Sequence, residues 1–484
     1  MALVRLPPSL AAICTSETGT DTLTIDTPAA IAGQTQETKS HAGAPIEVIV
    51  GIDYGTRFTK VAIGREGLEA TIWHDAENRR LIPSVVYITA KGDVLPWPDS
   101  PPAGASKVEY LKMLLATPND DRFGSQLPFL QGSLRAQGVK ALAALFLSEL
   151  IRRVRESEEN KPYLKNENTR WLVNIGVPVQ FYDGPEREIF QEVASVAYLW
   201  HEPRPQGGDI GSLVSAYSSV VVDKAHIDKA ISAFPELAAA LSEYTRDPNR
   251  PEGLYGFCDI GGGTIDGAIF RLNRGAGYPR LAIPSAAVRP LGTVAVARDL
   301  VRRAGTTLSA ERQLSLSQQV DLMLFDAKQL SSDAKGSAAA VFVGHDEAMR
   351  NEVQNFVRKF VNDARLKQSA NGHSFSDAIS GKKIQLRIFL AGGGAESPWY
   401  RSVLQGLDPE QNSAFDGIKT VRLETVARPA GHRGEDYSRF VIALGLANSP
   451  EELEEASQFL PSRIPKKPPA PQRQSNPMIT KDDL

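Results

Sequence analysis

Apolar residues are spread unevenly along the chain, and their spacing marks out its elements. Residues 1–44 are rich in Thr, Ala, Ser and Gly with little apolar periodicity, so a disordered leader is expected over 1–45. An apolar run, Ile46 to Ile52, then opens the folded part. Ile46 to Gly64 reads as two strands joined at Tyr54-Gly55-Thr56. Leu172 to Val177 reads as a strand and Pro185 to Tyr198 as a helix. Phe257 to Phe270 is again strand, glycine turn, strand. Ile384 to Leu390 is a strand that runs into three glycines, and a helix starts near Pro398. Lys224 to Tyr244 is expected to be a helix with a Leu/Ala-rich face. Phe440 to Ala447 is apolar and punctuated by Gly445. After it, Ser449 can cap a helix, Pro450 suits the first helical position and Glu452 completes a capping box. That helix is expected to run to about Leu460, with a disordered proline-rich tail from Pro461. The alternation of strands and helices predicts an α/β fold. No internal repeat of fixed period is visible.

Composition narrows the classes without choosing among them. Hydrophobic residues make up 42% of the 484, enough for a large core. The net charge of −3 gives no reason to expect nucleic acid or a membrane as the main partner. No basic start followed by an apolar core marks a secretory signal, and no apolar run reaches the roughly 18 residues a membrane span needs. Two cysteines, Cys14 and Cys258, build no disulfide framework, and a reducing, cytoplasmic setting fits them.

Three glycine segments carry the candidate chemistry. In Gly51-Ile52-Asp53-Tyr54-Gly55-Thr56-Arg57 an apolar strand delivers a carboxylate to its end and a glycine turn follows. Backbone N–H groups in such a turn can cradle phosphate oxygens. The carboxylate would repel phosphate directly, so it makes sense facing magnesium. Cys258-Asp259-Ile260-Gly261-Gly262-Gly263-Thr264-Ile265-Asp266 repeats the plan. Three consecutive glycines are costly inside a strand and suit a close approach to a ligand. Leu390-Ala391-Gly392-Gly393-Gly394-Ala395-Glu396-Ser397-Pro398 is a third strand entering glycines before a helix. Taken singly, the first and third segments are equally compatible with ordinary turns.

In this order, the three segments resemble the two phosphate loops and the adenosine loop of the seventy-kilodalton heat-shock chaperones, members of the actin-like ATPase superfamily. Arg80 to Val86, Val177-Pro178 and Gly445 resemble further family segments, so the likeness spans roughly residues 46–448. The resemblance implies an actin-like fold of two lobes, each with a mixed β-sheet flanked by helices, and nucleotide in the cleft. It divides the chain into a first lobe over 46–200, a second over 201–448 with an insertion around 204–250, and a short helix and tail over 449–484. It implies ATP or ADP with Mg²⁺ as cofactors. Asp53 and Asp259 would organise the metal. Gly55, Thr56, Arg57, Gly261, Gly262, Gly263 and Thr264 would hold phosphates, and Gly392, Gly393 and Gly394 would border the adenosine. Asp266 would position the attacking water, and Pro178 would relay nucleotide state.

Three weaker matches stay open. Lys112, in Tyr110-Leu111-Lys112-Met113, resembles the family's catalytic lysine, the alternative being a surface lysine on an amphipathic helix. Glu202, in His201-Glu202-Pro203, resembles an active-site glutamate or is a loop carboxylate. Lys328, in Asp326-Ala327-Lys328, resembles a ribose-reaching residue, but the match slips by one position there, which favours a surface helix. Departures are also visible. Arg57 stands in place of a small polar residue, and Glu396 in place of an arginine near the adenine. The segment after Pro450 is expected to be too short for the family's peptide-binding domain. The expected function is a slow, magnesium-dependent ATPase that switches a separate protein partner, such as an effector or co-chaperone. The alternative is a filament-forming cytomotive ATPase.

Overall fold

The computed structural model describes residues 45–457 except 66–67, 98–99, 119–132, 158, 165, 167, 179–183, 203–207, 221–229, 246–250, 275–278, 306–307, 327–330, 343–344, 371–383, 406, 408–414 and 424–436. The expected tail, and the expected leader apart from Pro45, lie outside the described residues.

Strands β1 (Ile46–Asp53), β2 (Phe58–Arg65) and β3 (Leu68–Ile72) form an antiparallel meander, and the short β4 (Ile82–Pro83) pairs with β2. A small separate sheet holds β5 (Val86–Ile88), β6 (Val94–Pro96) and β7 (Ser106–Val108). Then β8 (Thr169–Val177) and β9 (Ile231–Pro235) extend the first sheet in parallel beyond β1. Seven consecutive residues of β8, Trp171 to Val177, are buried, which is why the strand reads as an apolar run and not as an alternation. The second large sheet is built from β10 (Gly253–Ile260), β11 (Ile265–Arg274), β12 (Pro279–Arg289), β13 (Ile384–Ala391) and β14 (Phe415–Arg422).

The two large sheets share one plan. The first has the order β3-β2-β1-β8-β9 and the second β12-β11-β10-β13-β14. In both, a hairpin-connected antiparallel pair lies on one side of the central strand and two parallel strands on the other. This duplication has no fixed sequence period because the connections between corresponding strands differ in length.

Each sheet has its own core. Helices Ser133–Glu156 and Pro185–Trp200 close one face of the first. Helices Thr293–Ala304, Asp346–Ala370 and Pro398–Gln405 close one face of the second. A third core joins the two sheets: helices Glu236–Thr245 and Tyr437–Leu446 pack together, with β2 and β3 on one side and Tyr255, Phe257, Phe270 and Phe389 of the second sheet on the other. Gly445 makes that helix pair possible, since a Cβ there would lie 1.9 Å from the Ala239 carbonyl oxygen. Asn174 of β8 donates to the carbonyls of Leu446 (2.8 Å) and Asn448 (3.0 Å), tying the helix end to the first sheet.

Among the described residues of 224–244 the structure differs from the expected single helix. In place of a helix over Lys224–Tyr244, the described part has the paired strand β9 and a helix that begins at Glu236. Leu237 to Leu241 are buried, so the Leu/Ala-rich face is core and not an added surface. The first sheet therefore extends beyond residue 200, the boundary expected for the first lobe. A short apolar run such as Ile231–Pro235 cannot be told from helix by periodicity alone. The final helix, Pro450–Ser457, starts as expected, with the Ser449 hydroxyl accepting from the Glu452 N–H at 3.3 Å. No helix among the described residues is long and apolar enough to cross a membrane.

Candidate functional site

The equivalent hairpins of the two sheets point their turns at each other. Strand β1 ends on Asp53 and its turn holds Gly55, Thr56 and Arg57; β10 carries Asp259 beside its end and its turn holds Gly261 to Thr264. A Cβ on Gly263 would meet the Met113 sulfur at 2.6 Å and the Thr56 hydroxyl at 2.9 Å, so the turns touch tip to tip. The three glycine carbonyls of the second turn accept from the first residues of the following helix and its cap: Thr293 onto Gly261 (3.1 Å), Val294 onto Gly262 (2.8 Å) and Gly292 onto Gly263 (3.2 Å).

Between the hairpins lies a buried charged cluster of Asp53, Lys60, Lys112, Glu236, Asp259 and Asp266. Lys60 Nζ donates to Asp53 Oδ2 at 2.7 Å. Lys112, on the short buried helix Leu111–Ala116, is ion-paired with Glu236. Thr264 Oγ1 donates to Asp266 Oδ2 at 2.9 Å. Carboxylate oxygens of Glu236, Asp259 and Asp266 lie within 4.8 Å of one another. A cavity beside them is lined by these three and by Phe257, Ala268 and Ile442.

The electrostatics follow from this crowding. Burial pushes the Asp259 carboxyl up to about 7; Asp53 and Glu236 add to the rise, against Lys60 and Lys112. Burial, then Glu236 and Asp259, hold Asp266 well above the usual carboxylate range despite Lys112 and Thr264. Burial alone would lower Lys112, but Glu236, Asp53 and Asp266 outweigh it and the ammonium is favoured. Glu236 is raised by burial and by Asp53, with Lys112 opposing.

These donors fit a hard divalent cation. Four carboxylates face two ammonium groups, and Oδ1 of both Asp259 and Asp266 is buried without a hydrogen-bond partner among the described residues. A buried oxygen left unpaired costs about 1–3 kcal/mol, which a cation or its water shell would offset.

Of the residues singled out by sequence, Asp53, Gly55, Thr56, Gly261, Gly262, Gly263, Thr264, Asp266, Asp259 and Lys112 come together here. Gly392 also reaches the cluster. Its φ of +77° is a left-handed conformation that favours glycine, and a Cβ there would lie 2.1 Å from Asp259 Oδ1. Gly393 and Gly394 continue into a 3₁₀ turn, with Gly394 against Ile260. Arg57 instead turns its guanidinium to Asp321, on helix Ala310–Asp326. Glu202 is not brought to the cluster: it is exposed at the end of helix Pro185–Trp200, near Arg155. Pro178 is buried at the end of β8. Lys328 lies outside the described residues.

Sequence reasoning missed Lys60 and Glu236. Glu236 carried the signal used for Asp53 and Asp259, a carboxylate at the end of an apolar strand, here Ile231–Pro235. Its place was hidden by reading that strand as helix. Lys60 was legible only as a polar residue within an apolar strand.

No family model matches the chain. It is 24% identical over 383 residues to "Chaperone protein HscA" of Enterobacter sp. (strain 638), covering 75% of this chain and 56% of that protein. It is 24% identical over 416 residues to the HscA homolog of Pseudomonas aeruginosa (strain UCBPP-PA14), covering 80% of this chain and 59% of that one. A shorter stretch of 238 residues is 26% identical to the homolog of Azoarcus sp. (strain BH72), covering 47% and 32%. The chain thus spans less than two thirds of the length of these chaperones. The mixed α/β architecture is compatible with this likeness to the HscA chaperones.

Proposed function

We propose that this chain binds and hydrolyses ATP as a nucleotide-dependent switch of the seventy-kilodalton heat-shock chaperone type, acting on a separate protein partner. The observation that carries the reading is the buried cluster between two glycine-turn hairpins of equivalent topology. The paired sheets would form the two lobes of an actin-like fold, with nucleotide between them. The amides of the two turns and the hydroxyls of Thr56 and Thr264 would bind phosphate oxygens, and Gly392 to Gly394 would border the nucleoside.

Asp53, Asp259 and Asp266 would hold magnesium through its water shell, and the metal would screen the charge of the phosphates. Lys112 supplies a fixed positive charge for the terminal phosphate, worth most in a site closed to water. Glu236 holds that ammonium in place. Asp266, oriented by Thr264, is suited to position the attacking water. Glu236 takes the part that the sequence had suggested for Glu202. Hydrolysis is expected to be slow, with the partner reading the nucleotide state.

The test is thermal melting with Mg-ATP and Mg-ADP. Ligand at about 1,000 times its dissociation constant stabilises the native state by about 4 kcal/mol. No shift at millimolar nucleotide overturns the reading. Sedimentation in Mg-ATP should show a species that does not pellet; ordered filaments from pure protein would replace the switch with a cytomotive function.

A further inference from the structure

The two hairpins can be compared position by position. In the first, Asp53 is the cross-strand neighbour of Lys60; in the second, Asp259 is the cross-strand neighbour of Asp266. The same place in one plan therefore carries an ammonium in one half and a carboxylate in the other. The Asp53–Lys60 contact is built into the strand register and is shielded, with side chains 4% and 14% exposed. Cross-strand opposites of this kind are the closest-held pairs a sheet offers.

The Lys60 ammonium also reaches the phosphate turn. A Cβ on Gly55 would lie 3.7 Å from Nζ, so the charge sits beside the glycine that turns the first hairpin. An ammonium has three donors, and one is directed to Asp53. Its charge is also felt by Asp259 and Glu236, the carboxylates of the opposite half. Lys60 thus pairs with one of the carboxylates that would hold the metal and lies beside the turn that would hold phosphate.

We infer that Lys60 is a phosphate-binding residue that supplies, as a tethered cation, part of the charge neutralisation otherwise given by Mg²⁺, so that the protein binds nucleoside diphosphate with little dependence on the metal. This rests on the nucleotide reading above. Arg57, the other cation of the turn, does not compete for the role because its guanidinium is turned to Asp321.

The test is calorimetric titration of ADP into the full chain, with Mg²⁺ and with EDTA, for the parent and Lys60→Met. The parent should lose less than about tenfold in affinity on removing Mg²⁺, and Lys60→Met should lose at least about tenfold more than the parent does on the same removal. Melting with Mg²⁺ alone is the second measurement. Lys60→Met leaves Asp53 without its counter-ion, so Mg²⁺ should raise its melting temperature more than the parent's. Equal affinities under EDTA for the two proteins, or equal Mg²⁺ shifts, overturn the inference. If the parent binds ADP in neither condition, the nucleotide reading fails, and the Mg²⁺-only melting comparison still decides whether Lys60 is the counter-cation of Asp53. Should Lys60→Met not fold, Lys60→Gln carries the same comparisons.

Discussion

At the end of β1, Asp53 lies 2.7 Å from the Lys60 ammonium. At the matching place in β10, Asp259 faces Asp266, and each keeps a buried oxygen with no partner among the described residues. The backbone plans are the same: central strand, glycine turn, antiparallel return, and two parallel strands beyond. The electrostatics are opposite. One hairpin is neutralised within itself; the other is left short of positive charge. Backbone topology thus fixes where a carboxylate is presented, and one residue seven positions later decides whether it is already paired. Like charges directly opposite on a sheet are destabilising. On the function proposed above, a bound cation would compensate this pair, and the second hairpin would be where its binding energy is gained.

The largest effect is expected where a buried pair is broken. The side chains of Lys112 and Glu236 are 10% and 5% exposed, so Lys112→Ala leaves Glu236 as a buried charge without its partner. Breaking such a pair costs about 3–5 kcal/mol. Chemical denaturation of Lys112→Ala should show a loss of that size, and adding Glu236→Gln should recover part of it. Turnover should fall at least about tenfold, or about 1.4 kcal/mol of barrier. A stability loss near zero would contradict the buried pair, and unchanged turnover would remove Lys112 from the chemistry.

Neutralising the second hairpin should do the reverse. Asp259→Asn removes a crowded carboxylate and should stabilise the metal-free protein by on the order of 2 kcal/mol, while Asp53→Asn, which strands Lys60, should not. The same variant should lose its response to Mg²⁺. The pH dependence has a definite sign. Asp259 has a folded value of about 7 against an ordinary 3.8, so the folded state binds more protons between them. Its contribution is fully present below about pH 4 and is lost as pH rises through about 7, at up to about 1.4 kcal/mol per pH unit. Melting without metal should therefore fall more steeply over that range in the parent than in Asp259→Asn. Equal slopes would mean that Asp259 ionises freely in the folded protein.

The glycine turns and the carboxylates before them were legible in sequence because they are local: strand, acid and turn occupy adjacent positions. The duplicated sheet order was not, since β8, β9, β13 and β14 join it through connections of unrelated length. Glu236 was hidden for a different reason. Its strand is five residues long, too short to separate from the Ala-rich helix that follows, and His201-Glu202-Pro203 offered a nearer match in letters. Lys60 needed the register. Only the pairing of Asp53 with Lys60 shows that a lysine in an apolar strand faces the site and not solvent.

Arg57 gives the smallest expected effect and separates two roles for the first turn. Its sequence position suggests a phosphate contact, yet the guanidinium is turned to Asp321, on the helix beyond the second hairpin. Burial raises the Asp321 carboxyl and Arg57 opposes the rise, with Thr293 also bonding it. The Arg57 side chain is 31% exposed and that of Asp321 8%, so the pair is only partly shielded. A contact of this kind contributes on the order of 1 kcal/mol, because Arg57 gives up hydration and rotamer freedom to make it. A double-mutant cycle of Arg57→Ala and Asp321→Asn should return a coupling of about that size by chemical denaturation. ADP affinity should change less than about fivefold in Arg57→Ala, since Lys60 and the turn amides remain. A coupling near zero with a large loss of ADP affinity would reverse the assignment: Arg57 would then be the phosphate ligand, and the two hairpins would be alike in carrying their charge to the nucleotide.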